Sequence, residues 1–175
     1  MLSVPALCQD ATRLAGQRPL GEMRRLHDSL FGAPPPGSVV EWSAQGSLLP
    51  TGAGEPEVWL HLQGGVGVTL QCQRCLQAVE QALVVDRRFR FVRTEQEAER
   101  MDEVSEDDVL VLMPRLDLFD LLEDELILAL PLVPRHPGAC PSPLPLPLDD
   151  LPAEASAPNP FAALAALRTG RRGSG

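Results

Sequence analysis

Apolar positions along the chain change their period twice. Between Asp10 and Leu30, the residues Leu14, Leu20, Met23, Leu26 and Leu30 recur at roughly helical spacing, which predicts one short amphipathic helix around "PLGEMRRLHDSL". "GAPPPG" at Gly32 to Gly37 ends it, and from Val39 onward the period becomes that of strands. Val58, Leu60 and Leu62 alternate with Trp59, His61 and Gln63. Gly64 and Gly65 read as a turn, and Val66, Val68, Leu70 and Cys72 resume the alternation, so a β-hairpin is expected to lead into the cysteine pair. Leu83, Val85, Phe89 and Phe91 repeat the two-residue period through "ALVVDRRFRFV". Cys72 and Cys75 therefore fall between the end of one strand and the start of the next.

The second half reads differently. Residues Glu95 to Asp108 hold eight carboxylates and little apolar content, the pattern of a solvated loop, and Val109 to Leu112 form a further candidate strand. "LDLFDLLEDELILALP" places Leu118, Leu122, Leu126 and Leu130 four apart, which predicts a helix with Asp117 at its start. Its acids gather toward the N-terminal half, where the helix dipole favours them. Its last turns, "LILAL", are apolar all round and should be buried, and Pro131 and Pro134 stop it. Prolines and leucines from Pro141 to Pro158 read as an extended strap. Asn159 and Pro160 then open a two-turn helix whose Phe161, Leu164 and Leu167 lie on one side, a docking face for the body or a partner. The predicted organisation is one α+β domain over residues 1–140, an antiparallel sheet with a few helices. The strap (141–158), a short helix (159–169) and a disordered tail (170–175) follow it.

A length of 175 residues fits one domain, and 4% aromatics with 18 prolines fit a modest core with long irregular segments. The net charge of −9 changes the picture more, because it repels nucleic acid at long range. Binding RNA mainly through a broad basic surface is excluded. Any RNA contact must be local or indirect, and basic proteins such as those of the ribosome suit an acidic body better. No stretch reaches the ~18 apolar residues of a membrane helix, and "MLSVPALCQD" lacks the basic start of a signal peptide. The expectation is a cytoplasmic protein with no membrane partner. In a reducing compartment the cysteines then serve metal binding, catalysis or burial, not a disulfide framework.

Zinc needs four nitrogen or sulfur donors, and Cys72-x-x-Cys75 supplies two from one tight turn. "RHPGAC" offers the second pair, His136 and Cys140, with three residues between. Together these four predict a split, closed and therefore structural zinc site. Three other readings compete. A redox dithiol should sit at a helix N-terminus, whereas "LQAVEQALVV" after Cys75 reads as a strand. The thiols can also be ordinary small apolar residues in a core, and an iron–sulfur cluster would use an uncommon donor set here. Cys8 reads as a buried or incidental thiol, and His27 and His61 as structural. In "DRRFRFVR", Arg87, Arg88, Arg90 and Arg93 interleave with Phe89 and Phe91, an RNA-compatible surface. The same phenylalanines equally fit the core face of that strand, with the arginines paired to nearby acids. A metal-dependent ribonuclease would need an open metal position and a general base. The sequence shows neither.

"LQCQRCLQAVE", "DLFDLLEDELILALPLVPRH", the cysteine after it and "NPFAALAALR" occur in an order that resembles the YceD family, the bacterial large ribosomal RNA subunit accumulation proteins, from about Leu60 to Arg168. The resemblance implies a non-catalytic cytoplasmic protein needed for synthesis, processing or stability of 23S ribosomal RNA. It also places the family's Cys-x-x-Cys on Cys72 and Cys75, its later histidine on His136 and its later cysteine on Cys140. Some relatives carry a second histidine directly before that cysteine, a position held here by Ala139. A large-subunit ribosomal protein or an assembly or processing factor is the implied partner, with precursor 23S RNA a further candidate through Arg87 to Arg93 and through Arg171 and Arg172.

Overall fold

The computed structural model describes residues 2–142 apart from Ala11, Ala53 and Glu106. The strap from residue 143, the helix with Phe161, Leu164 and Leu167, and the tail with Arg171 and Arg172 lie outside the described residues. One five-stranded sheet runs in sequence order: β1 (Arg13–Pro19), β2 (Val39–Leu49), β3 (Glu57–Gln71), β4 (Ala78–Val92) and β5 (Asp108–Val111). The first four are antiparallel, and β5 lies parallel to β4. Four helices accompany them, α1 (Val4–Gln9), α2 (Arg24–His27), α3 (Glu95–Asp102) and α4 (Leu118–Leu128). The class is α+β. No helix among the described residues is long and apolar enough to cross a membrane.

The two-residue period does what it should on β3 and β4. Leu60, Leu62, Val66, Val68 and Leu70 are buried, and their partners across the ladder include Phe89 opposite Leu60, Leu83 opposite Val66 and Val79 opposite Leu70. The same core takes in Leu118, Leu122 and Leu126 of α4, Val4 and Leu7 of α1, and Leu26 of α2. Phe89 and Phe91 thus belong to the core. The intervening positions, His61, Gln63, Asp86 and Arg88 among them, carry the polar groups of the opposite face.

Four expectations from the sequence are corrected. Gly64 and Gly65 do not turn the chain: β3 passes straight through them, and Gly65 pairs with Glu41 while Gly64 pairs with Val85. Gly64 is there for close approach, since a Cβ on it would lie 2.6 Å from Leu122 Cδ1 of α4. The helix expected from Asp10 to Leu30 is instead strand β1, a 3-10 turn at Leu20–Glu22 and the single turn of α2. Ladder pairing from Arg13–Gln45 to Pro19–Val39 overrides a helical period that Pro19 already interrupts. The acidic run is solvated, but its first part is helix α3, started by the Thr94 hydroxyl accepting from the Glu97 N–H. Finally, the "LILAL" end of α4 is not enclosed: Leu126 is buried, whereas Leu128 is 73% exposed. Val109 to Leu112 does contribute a strand, as β5, and Asp117 caps α4 by accepting from the N–H groups of Phe119 and Asp120.

Glu123 of α4 is a buried carboxylate that pattern reading passes over. Its Oε1 accepts from the backbone N–H of Arg25 at 2.7 Å and of Leu26 at 3.1 Å. It therefore caps α2 from another helix, where the local N-cap position, Met23, has no side chain able to do so.

Candidate metal centre

The β3–β4 connection is the Cys-x-x-Cys segment itself. Cys72 N–H donates to Gln77 O and Leu76 N–H to Cys72 O, both at 2.9 Å, which closes a tight loop, and Leu76 takes a left-handed φ of 59° to do so. Both thiols point inward, with Cys72 fully buried and Cys75 nearly so. After α4 the chain returns past this loop, held by the Gln73 N–H donating to Pro134 O at 2.9 Å. His136 and Cys140 arrive from that returning segment. The Sγ atoms of Cys72, Cys75 and Cys140 and a ring nitrogen of His136 all lie within 4.8 Å of one another.

Two of these separations are those of a tetrahedral ion. Donors about 2.0–2.3 Å from a common centre stand about 3.6–3.8 Å apart. Cys72 Sγ lies 3.9 Å from Cys140 Sγ, and Cys75 Sγ lies 3.6 Å from His136 Nδ1. His136 Nε2 sits 3.0 Å from Ala78 O, so this nitrogen carries the proton and donates it, leaving the Nδ1 lone pair for the cluster. Arg74, between the two cysteines, donates from Nε to Cys140 Sγ at 2.8 Å and from its guanidinium to Gly138 O. A divalent ion with three thiolates and a neutral imidazole carries a net charge of −1, which Arg74 offsets. These residues can hold a metal ion, and four protein donors leave no open position for a catalytic water.

The titration of Cys72 and Cys140 matches that use, and that of Cys75 and His136 runs against it. Burial raises the Cys72 thiol, but hydrogen bonds from the backbone of Arg74, His136 and Cys75 outweigh it and bring the thiol from 9.0 down to about 5. Cys140 is also lowered, because the Arg74 guanidinium beside its sulfur overcomes burial. His136 is raised above 6.5 by hydrogen bonding to the sulfurs of Cys140 and then Cys72. Cys75 is raised, chiefly by burial. β4 follows this loop, so the cysteines do not stand at a helix N-terminus.

Sequence reasoning gathered four candidate arginines, and the structure separates them. Arg87 bridges Glu125 at 3.3 Å and Asp108 at 2.8 Å, Arg90 pairs with Glu57 at 2.6 Å, and Arg93 pairs with Glu55. Arg88 stacks over the Trp59 ring at 4.8 Å and has no carboxylate partner among the described residues. His61 pairs with Asp86 at 2.6 Å and His27 lies beside Asp28. Cys8 is buried, donates to Trp59 O at 3.3 Å, and has its thiol raised by burial. Arg74 could have been found from "QCQRCL", because a cation next to a thiolate is the expected partner. Glu123 left no such signal.

Residues 60–168 match the family model described as "Large ribosomal RNA subunit accumulation protein YceD". A protein of that name from Haemophilus influenzae is 37% identical over 119 residues, covering 65% of this chain and 68% of that protein. No solved structure matches significantly.

Proposed function

The chain belongs to the YceD family, and from that premise we propose that it supports accumulation of 23S ribosomal RNA as a non-catalytic, cytoplasmic assembly factor built around a structural zinc ion held by Cys72, Cys75, His136 and Cys140. The observation that carries this reading is that the family match, residues 60–168, spans all four donors, and that they converge from both ends of the β4–α4 region. The donor set favours zinc: thiolates and an imidazole at tetrahedral spacing suit that ion, whereas the oxygen-rich sites of magnesium or calcium do not resemble it.

The zinc would fasten the segment after α4 to the β3–β4 loop and so fix how the hairpin sits against the helix. A closed ligand set supports structure over hydrolysis. The acidic charge favours a basic partner, a large-subunit ribosomal protein or an assembly factor, over extensive RNA contact. Among the candidate arginines in the described residues, direct contact with precursor RNA narrows to Arg88, since carboxylates already hold Arg87, Arg90 and Arg93.

The test is to restore the gene in cells lacking it and measure 23S against 16S ribosomal RNA, alongside elemental analysis of the purified protein. The expected result is recovery by the wild type with about one zinc per chain, and loss of both with Cys72→Ser or Cys140→Ser. Normal 23S levels without the gene would overturn the functional reading, and metal-free native protein would overturn the zinc.

A further inference from the structure

The Cys/His cluster occupies one end of β4 and strand β5 the other. β5 pairs with β4 only from Phe89 to Val92, and His136 takes Ala78 O. Between them, Glu80 to Asp86 has no neighbouring strand on its outer side among the described residues. Which main-chain groups point outward follows from the two ends. Val92 O accepts from the Leu112 N–H at 2.7 Å and Ala78 O accepts from His136, so both even-numbered residues face away from β3. The β3–β4 register is unbroken from Ala78 to Phe91, so the alternation carries through. Glu80, Ala82, Val84 and Asp86 therefore present N–H and C=O groups outward. Among the described residues one of these groups has a partner, Ala82 O, which accepts from the Gln81 side chain at 3.1 Å.

Edge strands are commonly blunted by proline, lysine or a bulge. "EQALVVD" has none of these, and Val84 is 72% exposed. A groove of about 390 Å³ lies between this edge and the last turn of α4, lined by Val84, Val85, Leu128 and Ala129. Its charge is negative: Glu125 and Asp108 share the one guanidinium of Arg87, while Asp86 turns to His61 on the other face. Burial raises the Glu125 pKa, with Arg87 opposing the rise and Asp108 adding to it.

We propose that the Glu80–Asp86 edge of β4 docks an extended basic segment of a partner protein, which adds to the sheet as a sixth strand. Its backbone would pair with the four outward residues, an apolar side chain would lie against Leu128 and Ala129, and an arginine or lysine would sit beside Glu125. A ladder of alternating N–H and C=O groups is complementary to another backbone, and the carboxylates repel phosphate, so the occupant is protein and not RNA. This inference rests on the assembly-factor reading and names the surface and partner class it uses.

The experiment uses the full metal-loaded chain and a fluorescent eight-residue peptide alternating arginine and valine, with an arginine-only and a glutamate–valine peptide as comparators. The expected result is binding at least about tenfold tighter for the arginine–valine peptide. Amide exchange should slow at Ala82, Val84 and Asp86, while Leu83 and Val85, whose N–H groups already face β3, should not change. Val84→Pro, at a position where an edge strand tolerates proline, should weaken binding at least about tenfold. Glu125→Gln should weaken it about threefold, with wild-type metal content in both. Equal binding of the arginine-only peptide, unchanged exchange at the even positions, or full binding by Val84→Pro would each overturn the proposal. So would a wild-type dimer that Val84→Pro dissociates, because the occupant would then be a second copy. A Val84→Pro chain that loses the peptide yet restores 23S RNA removes the docking site from the function and leaves the assembly role. A wild type that binds the peptide and restores no RNA does the reverse.

Discussion

Two of the places where the chain after the sheet is tied back are built on opposite principles. At one, His136 and Cys140 meet the Cys72–Cys75 loop through four donors suited to an ion. At the other, one carboxylate, Glu123, reaches the start of α2, which lies 97 positions away at Leu26, and satisfies two backbone N–H groups. The first junction is assembled from two short local motifs, and a bound ion would add to the hydrogen bonds already made there by Gln73, Arg74 and His136. The second is complete within the chain. A fold fastened at two points, one conditional and one permanent, predicts that losing the metal loosens one end of the molecule while the other keeps its order.

The largest effect should come from the conditional junction. Chelation, or Cys140→Ser, should remove the metal and lower Tm by about 10 °C or more, because the binding free energy of a structural ion is folding free energy. Amide exchange should rise at Cys72, Gln73 and Leu76, and stay slow at Arg25 and Leu26. If exchange rises equally at both junctions, they are one cooperative unit and the contrast fails. Next in size is Glu123→Ala, which leaves the N–H groups of Arg25 and Leu26 without an acceptor beside a buried Leu26. Denaturant unfolding should show a loss of about 2–3 kcal/mol, the cost of an abolished cap plus an unsatisfied buried donor, with metal content unchanged.

These junctions also show what a sequence can disclose. The convergence of Cys72, Cys75, His136 and Cys140 was legible because the spacing of candidate donors is a local constraint that the sequence displays directly. The alternation of β3 and β4 was legible for the same reason, since burial of Leu60, Leu62, Leu83 and Phe89 repeats every second residue. Glu123 was not, because an acid on an amphipathic helix looks the same whether water or a distant helix start receives it. Gly64 was misread because two glycines fit a turn as well as they fit a strand pressed by Leu122; only the partner across the core decides. β1 was misread because a sparse helical period lost to a ladder whose other half, β2, begins 20 residues after β1 ends, at Val39.

A smaller effect separates the junctions by pH. In the metal-free chain Cys72 titrates at about 5 against 9.0 when unfolded, so its contribution is complete above 9 and disappears as pH falls through 5. His136 runs the other way: raised above 6.5, it stabilises fully below 6.5 and loses that contribution as pH climbs through its folded value. Tm of the chelated protein should therefore rise from pH 5 to about 6.5 and climb less steeply just above that, where the His136 slope opposes those of Cys72 and Cys140. Cys72→Ser should reduce the rise. An unchanged rise in that variant would show that the thiolate does not exist in the metal-free fold.

The smallest expected change tests what the permanent junction is made of. Arg25 makes an ion pair with Asp124 in addition to its contacts with Glu123, and both members of the Asp124 pair have side chains 50% exposed. Water and salt already screen such a pair, and fixing two flexible side chains costs entropy that offsets most of the attraction. Asp124→Asn should move Tm by less than about 2 °C at 0.15 M salt. A shift as large as that of Glu123→Ala would mean that the junction holds by charge, like the metal end. A negligible shift assigns it to Glu123, through the two backbone N–H groups it accepts from and its own contact with the Arg25 guanidinium.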